Sequence, residues 1–346
     1  MKFMFAIISV FALSITVPIP TLAARSTTAL QVYFIDVEGG QATLFVTPDQ
    51  ESLLIDTGWP GNAGRDADRI VRAAKLAGLA KLDYVLITHY HRDHVGGVPQ
   101  LMARMPVGAF IDHGENRETA DANTEHDWQE YKKVLGGPVQ HLVMKPGDTL
   151  PLKGVRAIVV SADGALIDQP LPSAGMANPF CAGVARYAPD KTENARSLGI
   201  LLTFGKLRFL DLGDLTTDKE QELMCPRNRL GKVDVLVVSH HGWNQSSSPL
   251  LVNAIAPRVA IMDNGATKGG SPIVIDTILH SPGLETLWQL HYSEEGGSAH
   301  NTSAPFIANL PGTDAGNYLK LTANADGTLD VFNSRTEQSR HYAAQQ

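Results

Sequence analysis

Six consecutive residues of this chain combine the side chains that proteins use to hold metal ions. The segment HYHRDH spans residues 89–94 and stands between the apolar run LDYVLIT and two glycines. Alternate residues of an extended segment point to the same side, so His89 and His91 could bind one ion. Asp93 and His94, at the start of a following helix, would turn toward a second ion. The segment therefore predicts a centre for two metal ions.

Two later segments end apolar strands with residues of the same kind. RFLDLGD places Asp214 directly after a glycine, which lets the backbone come close to its neighbours, and a carboxylate at this position could bridge two cations. VLVVSHHG places His240 and His241 after another strand. We expect both segments to meet residues 89–94 at one edge of a sheet.

The elements that must position these residues follow an α/β pattern. The runs LQVYFIDV, ATLFVT and ESLLIDTG predict three short strands, and apolar residues at helical spacing predict a helix over 62–78. The second half of the chain repeats this alternation without a clear linker. Residues 161–196 interrupt it with four prolines and no sustained periodicity, which fits either a lid over a site or a passive surface excursion.

Composition and charge exclude several classes of protein. The chain has 346 residues, of which 43% are hydrophobic and 19% are charged, and this excludes disordered, fibrous and coiled-coil proteins. The formal net charge of −7 provides no overall positive field for nucleic acid or an anionic membrane. An anionic partner must be attracted locally, so we expect a small-molecule or short anionic substrate.

The first residues have the pattern of a Sec-type signal peptide over 1–23. Lys2 precedes an apolar run that ends at Val17, and small residues favour cleavage near Ala23 or Ala24. The pattern predicts a periplasmic or secreted domain over 24–346 with no membrane span after signal removal, and an uncleaved anchor is the alternative. The two cysteines are Cys181 and Cys225. They form either a disulfide or two buried thiols, and the sequence leaves both open.

The order of these motifs resembles the metallo-β-lactamase fold along nearly all of the mature chain. LLIDTG with Asp56, the HxHxDH segment, Gly-Asp at Asp214 and the late His240 follow the family's order. The Asp36-Val37 turn and the sequence SHHG followed by SSSP resemble the hydrolase domain of ComEC-like competence proteins. The resemblance implies an α/β protein built as an αββα four-layer sandwich, with the metal site at one edge between the two sheets. It also implies two divalent ions, zinc first, with manganese or iron as alternatives.

The resemblance also implies roles for individual residues. The metal ligands would be His89, His91, Asp93, His94, Asp214 and His240. Asp214 would bridge the ions, and Asp93 would orient a metal-bound hydroxide. His241 would act as a general acid, with a metal ligand or a residue that only ends the strand as the alternatives.

Other residues would support this centre. Asp36 and Asp56 would orient ligands from behind. The family's third histidine of the first metal position has no counterpart between Ser161 and Asp211, so Asn194 or His113 could complete that position. Lys268 is a candidate contact for a substrate anion, or else a solvated turn residue.

The sequence therefore predicts an exported metal-dependent hydrolase that attacks a phosphodiester or a related small ester with a metal-activated hydroxide. A lactonase or thioesterase could use the same site. A non-catalytic secreted binding protein of the same fold and a mononuclear iron dioxygenase are the remaining alternatives.

Overall fold

The computed structural model describes residue 1 and residues 28–312 and 314–345. Apart from its first residue, the predicted signal peptide lies outside the described residues. Within these ranges, no helix is long and apolar enough to cross a membrane.

Short strands and helices alternate along the chain. The strands are β1 (Leu30–Phe34), β2 (Thr43–Val46), β3 (Ser52–Ile55), β4 (Leu82–Leu86), β5 (Val107–Asp112), β6 (Gln140–Val143), β7 (Arg156–Ala162), β8 (Ala165–Leu166), β9 (Gly199–Phe204), β10 (Leu207–Asp211), β11 (Val235–Val237), β12 (Val259–Met262), β13 (Thr286–His291), β14 (Ile307–Asn309), β15 (Leu319–Ala323), β16 (Leu329–Asn333) and β17 (Gln338–Tyr342). The helices are α1 (Arg65–Leu76), α2 (Arg92–Val95), α3 (Val98–Met102), α4 (Ala122–Leu135), α5 (Thr217–Met224), α6 (Pro249–Ile255), α7 (Pro272–Leu279) and α8 (Gly297–His300).

The strands form two mixed sheets. The first sheet has nine strands in the order β17-β16-β15-β1-β2-β3-β4-β5-β6, and the second has eight in the order β14-β13-β12-β11-β10-β9-β7-β8. Strands β3 to β6 run parallel to one another, as do β10 to β14. The segments that leave the carboxyl ends of these strands carry most of the predicted site.

Three apolar cores separate four layers. The largest joins the inner faces of the two sheets and includes Phe45 and Phe209, whose rings meet edge to face. A second packs α1, α3 and α4 against the outer face of the first sheet, and a third packs α5, α6 and α7 against the second sheet. This arrangement confirms the predicted αββα sandwich. Strands β11 and β12 are buried along their whole length, which explains their continuous apolar sequences.

The helix predicted over 62–78 is shorter than expected. Helix α1 begins at Arg65, after a 3₁₀ turn over Asn62–Gly64. Ala63 and Gly64 both have positive φ angles, of 52° and 83°, and this left-handed backbone cannot continue into a right-handed helix.

Residues 161–196 form little regular structure and are fixed to a neighbouring segment. Cys181 and Cys225 form a disulfide with a Cα–Cα distance of 5.9 Å. Backbone hydrogen bonds join Leu171 to Arg229 and Gly175 to Asn228. The alternative of two free thiols is therefore wrong. The interpretation of this segment, as a lid or as a passive surface excursion, stays a prediction.

Candidate metal centre

The predicted ligand segment lies between the first sheet and a short helix. His89 follows β4 and is fully buried, whereas the side chain of His91 is 24% exposed. Asp93 and His94 lie within α2, and both are buried. The segment thus holds its ligand residues in the extended and helical backbone that their spacing predicts.

Asp214 reaches this segment from the second sheet because the residue before it is glycine. Gly213 has a φ angle of 55°, and a Cβ at this position would lie 2.8 Å from the Cβ of Thr88. The close approach leaves Asp214 buried with its amide donating to Ser197 Oγ at 3.2 Å.

His240 and His241 share an unusual backbone. Their φ angles are 58° and 54°, and the two rings lie 6.2 Å apart with 76° between their planes. The amide of His240 donates to the carbonyl of Gly213 at 3.1 Å, which fixes this turn beside Asp214. Consecutive imidazoles therefore reach two different places.

Four buried residues converge on one point. Ligand atoms of Asp93, His94, Asp214 and His241 all lie within 4.8 Å of one another. His94 Nε2 is 3.3 Å from Asp93 Oδ2 and 3.2 Å from both Asp214 Oδ2 and His241 Nε2. This convergence includes His241, for which the sequence favours proton donation and leaves metal binding as an alternative.

Asp214 also faces imidazoles outside this group. Its Oδ2 lies 3.9 Å from His89 Nε2 and 3.4 Å from His240 Nε2. The His89 ring is 4.7 Å from the His91 ring. The Asp214 carboxylate thus lies between the other three residues of the group and a second set of imidazoles.

Each of these imidazoles has a protein group beside one ring nitrogen. Thr88 Oγ1 lies 3.0 Å from His89 Nδ1, Asp56 Oδ2 lies 2.7 Å from His94 Nδ1, and Glu118 Oε2 lies 2.9 Å from His91 Nε2. Ser246 Oγ and Asp263 Oδ1 lie 3.3 Å and 3.4 Å from the Nδ1 atoms of His240 and His241. Partners of this kind fix the ring orientation of metal-binding histidines.

Two ligand atoms at the centre are free to bind a divalent metal. Among the described residues, His89 Nε2 and Asp214 Oδ1 are buried without any hydrogen-bond partner. Buried polar atoms are rarely left unpaired, and imidazole with carboxylate is a donor set typical of zinc, manganese and iron. The residues present therefore fit the metal that the family implies.

The charges of the centre favour deprotonated carboxylates. Burial alone would raise the pKa of Asp214, but His240 and His94 hold that pKa well below its usual range. Asp93 behaves in the same way, since Lys268 and His94 outweigh burial and lower its pKa. Burial lowers the pKa of His89 well below its usual value and that of His240 to about 4. These two imidazoles are consequently neutral, which is the form that binds metal.

Two of the supporting residues lie at the centre. Asp56 accepts from the backbone amide of Thr88 at 2.8 Å and contacts His94, as expected of a residue that orients a ligand. Lys268 contacts Asp93, donates to the carbonyl of Gly39 at 2.8 Å and lies 5.1 Å from the ring centre of Trp59. Lys268 is therefore held at the site by three contacts.

Three other predicted residues do not interact with the ligand residues. Asp36 pairs with Arg69 and His291 at 3.0 Å and 2.7 Å, and His113 contacts Glu193 at 3.0 Å. Asn194 is buried with an unpartnered Oδ1 among the described residues. None of the three forms a hydrogen bond or ion pair with a predicted ligand in the described structure.

Asp36 belongs to a second group of metal-binding type. Its carboxylate, that of Glu38 and the His291 ring offer ligand atoms within 4.8 Å of one another. Both oxygens of Asp36 are already engaged, Oδ1 by the Glu38 amide at 2.9 Å and by His291, and Oδ2 by Arg69. The Arg69 cation supplies the charge that a metal would bring, so this group fits an ion less well.

Sequence reasoning missed Glu118 and Asp263. Asp263 directly follows the apolar strand β12, and Asp214 follows β10 in a similar way, so a search for acids after strands would have found it. Glu118 lies in an irregular loop after β5, and no local pattern indicates that it contacts His91.

Comparisons with known proteins agree with this geometry. Residues 36–166 match the model of the metallo-beta-lactamase superfamily. Recombination protein 2 of Haemophilus influenzae is 27% identical over 243 residues, which cover 68% of this chain and 24% of that protein. Competence protein ComA of Neisseria gonorrhoeae is 25% identical over 230 residues, which cover 66% of this chain and 26% of that protein.

A solved structure is also similar. The metallo-beta-lactamase fold protein YhfI from Bacillus subtilis is 14% identical, with 84% of this chain and 99% of that chain covered at a TM-score of 0.43. The chain spans about a quarter of the length of the curated relatives named above. It carries a metallo-β-lactamase superfamily domain in the αββα fold and is homologous to competence proteins.

Proposed function

We propose that this protein is an exported, metal-dependent hydrolase that acts on a phosphodiester or a related small ester. The observation that carries the proposal is the position of Asp214, whose Oδ2 faces His89, His94 and His240 while its Oδ1 lies 3.6 Å from His241 Nε2. A carboxylate so placed can contact two ions. The disulfide supports export, because disulfides are typical of oxidising compartments.

The protein residues divide the work of such a reaction. When bound, two divalent ions would polarise the scissile group and activate water. Asp214 and Asp93 are held as carboxylates, and burial keeps bulk water from weakening their interactions. Both ring nitrogens of His241 face carboxylates within the protein, so we assign His241 to metal binding instead of proton donation.

Lys268 favours an anionic substrate of limited size. Its ammonium group lies at Asp93 with 22% of the side chain exposed, so it could contact a phosphate oxygen. Nearby arginines are paired with acids, Arg92 with Asp127 and Arg117 with Asp163. We therefore propose a small or short anionic substrate and no extended contact with nucleic acid.

This function is tested by assays of the metal-loaded protein with bis(p-nitrophenyl) phosphate, p-nitrophenyl acetate and a simple lactone. Removal of the shared carboxylate in Asp214→Asn should lower turnover at least about 100-fold. The control Asp330→Asn, whose side chain is 40% exposed and pairs with His341, should keep wild-type turnover. Full turnover in Asp214→Asn would contradict the proposal. Two bound metals without turnover of any substrate would favour the binding protein instead.

A further inference from the structure

The first metal position, at His89 and His91, lacks the third histidine of the family's pattern. His89 and His91 are adjacent, and Asp214 Oδ2 faces His89, but residues 161–211 contain no histidine to join them. Metal positions of this type are completed by a further protein ligand or by water. A third imidazole must therefore come from another part of the chain if the position is to be closed by protein.

The His240 ring reaches the carboxylate that His89 also faces. Its Nε2 lies 3.4 Å from the same Asp214 oxygen that faces His89 Nε2, and its Nδ1 faces Ser246 Oγ. The ring is buried. His241 reaches the other oxygen of Asp214 and the group of Asp93 and His94.

Backbone strain supports separate roles for the two histidines. Left-handed φ angles cost free energy in residues other than glycine, and such conformations persist mainly where function requires them. Two consecutive residues, His240 and His241, have this conformation. A relaxed strand would point them to opposite faces of the second sheet, whereas the observed turn brings both rings to Asp214.

The alternative residues fit this position less well. His113 Nε2 contacts the buried carboxylate of Glu193, and in the described structure no hydrogen bond or ion pair joins His113 to Asp214 or His89. Asn194 has an unpartnered buried oxygen, but it forms no hydrogen bond with Asp214 or His89 in the described structure. Asn194 is thus the competitor that an experiment must test.

We propose that His240 supplies the third imidazole of the first metal position, with His89, His91 and Asp214, while His241 serves the second. Adjacent residues thereby bind different ions and compensate for the histidine that the chain lacks. This inference rests on the proposed function, because it requires a two-metal centre.

Metal stoichiometry separates the possibilities. Full-length protein, His240→Ala, His241→Ala, the double variant and Asn194→Ala would be equilibrated with zinc, passed through a desalting column and measured by elemental analysis. We expect two equivalents in the wild type and in Asn194→Ala, one in each single histidine variant and none in the double variant. Circular dichroism of each variant checks the fold, and His240→Asn provides a smaller change if His240→Ala unfolds.

Other outcomes overturn the inference in distinguishable ways. If both histidines serve one ion, the double variant keeps one equivalent. If Asn194 completes the first position, Asn194→Ala loses an equivalent and His240→Ala keeps two. If the wild type binds no zinc, manganese or iron, the proposed function fails together with the inference. If the wild type binds two ions and His240→Ala also binds two, only the inference fails.

Discussion

At the scale of single residues, the metal centre depends on groups that do not bind the metal. Glu118 Oε2 lies 2.9 Å from His91 Nε2, and Asp263 Oδ1 lies 3.4 Å from His241 Nδ1, on the side of that ring away from Asp93. Carboxylates in such positions raise the basicity of an imidazole and fix its orientation. Both residues should therefore control metal affinity without large effects on the fold.

Replacing Glu118 by alanine should weaken zinc binding. The variant removes the partner of His91 Nε2, and loss of such a partner typically lowers metal affinity about 10- to 100-fold. Competition with a chromophoric chelator measures this change. Glu115→Ala is the matched control, because Glu115 lies in the same loop and is 67% exposed. Equal affinities of the two variants would contradict the role of Glu118.

Replacing Asp263 by asparagine should lower zinc affinity by a similar factor, about 10-fold or more. Asp263 is buried, and its carboxylate makes no hydrogen bond within the described residues, so its charge toward His241 is its main interaction. Calorimetric titration with zinc gives the affinity. Asp276→Asn is the control, because the Asp276 side chain is 43% exposed, and it should leave the zinc affinity unaltered. A wild-type zinc affinity in Asp263→Asn would contradict the role of Asp263 in metal binding.

Residues of metal-ligand type could be found in the sequence because several of them stand close together in it. His89, Asp93 and His94 needed only the 89–94 segment. Asp36 shows the limit of this approach, because its partner His291 lies 255 residues away and no local pattern indicates that contact. The position of His241 depended on left-handed backbone, which the sequence SHHG does not reveal.

At the scale of elements, strands with strong apolar character were predictable, and polar edge strands were not. The runs LQVYFIDV, ATLFVT and ESLLIDTG contain β1, β2 and β3, as predicted. Strands β6 and β17 give no such signal, because their residues are mostly exposed and carry little apolar alternation. The apolar sequence PIVIDTIL of helix α7 gives no clear helical period.

The disulfide should stabilise residues 161–196 without controlling the metal centre. It closes a sequence separation of 44 residues, for which the loss of chain entropy in the unfolded state predicts about 4 kcal/mol at most. The variant Cys181→Ser/Cys225→Ser should therefore unfold at a lower temperature, exchange amide hydrogens faster over 168–190 and keep the zinc content of the wild type. An unchanged melting temperature would show that packing alone fixes this segment.

At the scale of the whole molecule, a buried hydrogen bond joins the two sheets near the centre. Gln41, which precedes β2, donates to Asp211 at the end of β10 at 2.6 Å. Burial raises the pKa of Asp211 to about 7. The folded protein therefore binds a proton here that the unfolded chain, with a pKa of about 3.9, releases.

This difference predicts how stability depends on pH. Between the two pKa values the folded state holds more protons, so Asp211 should lower the free energy of unfolding by about 1.4 kcal/mol per pH unit as pH rises from 5 to 7, with no further loss above. Urea unfolding of metal-free protein across this range measures the slope. Asp211→Asn should reduce the slope and Asp330→Asn should not. Equal slopes in all three proteins would contradict the prediction.

The pairing of β1 with β15 determines when the first sheet can be completed during folding. β1 lies near the start of the described chain, and its partner Leu319–Ala323 lies near the end. As the polypeptide emerges with its N-terminal end first, the sheet that carries residues 89–94 stays open along β1 until Leu319–Ala323 is available to pair with it. A chain that stopped early would expose the unpaired N–H and C=O groups of an apolar strand, which is a template for aggregation.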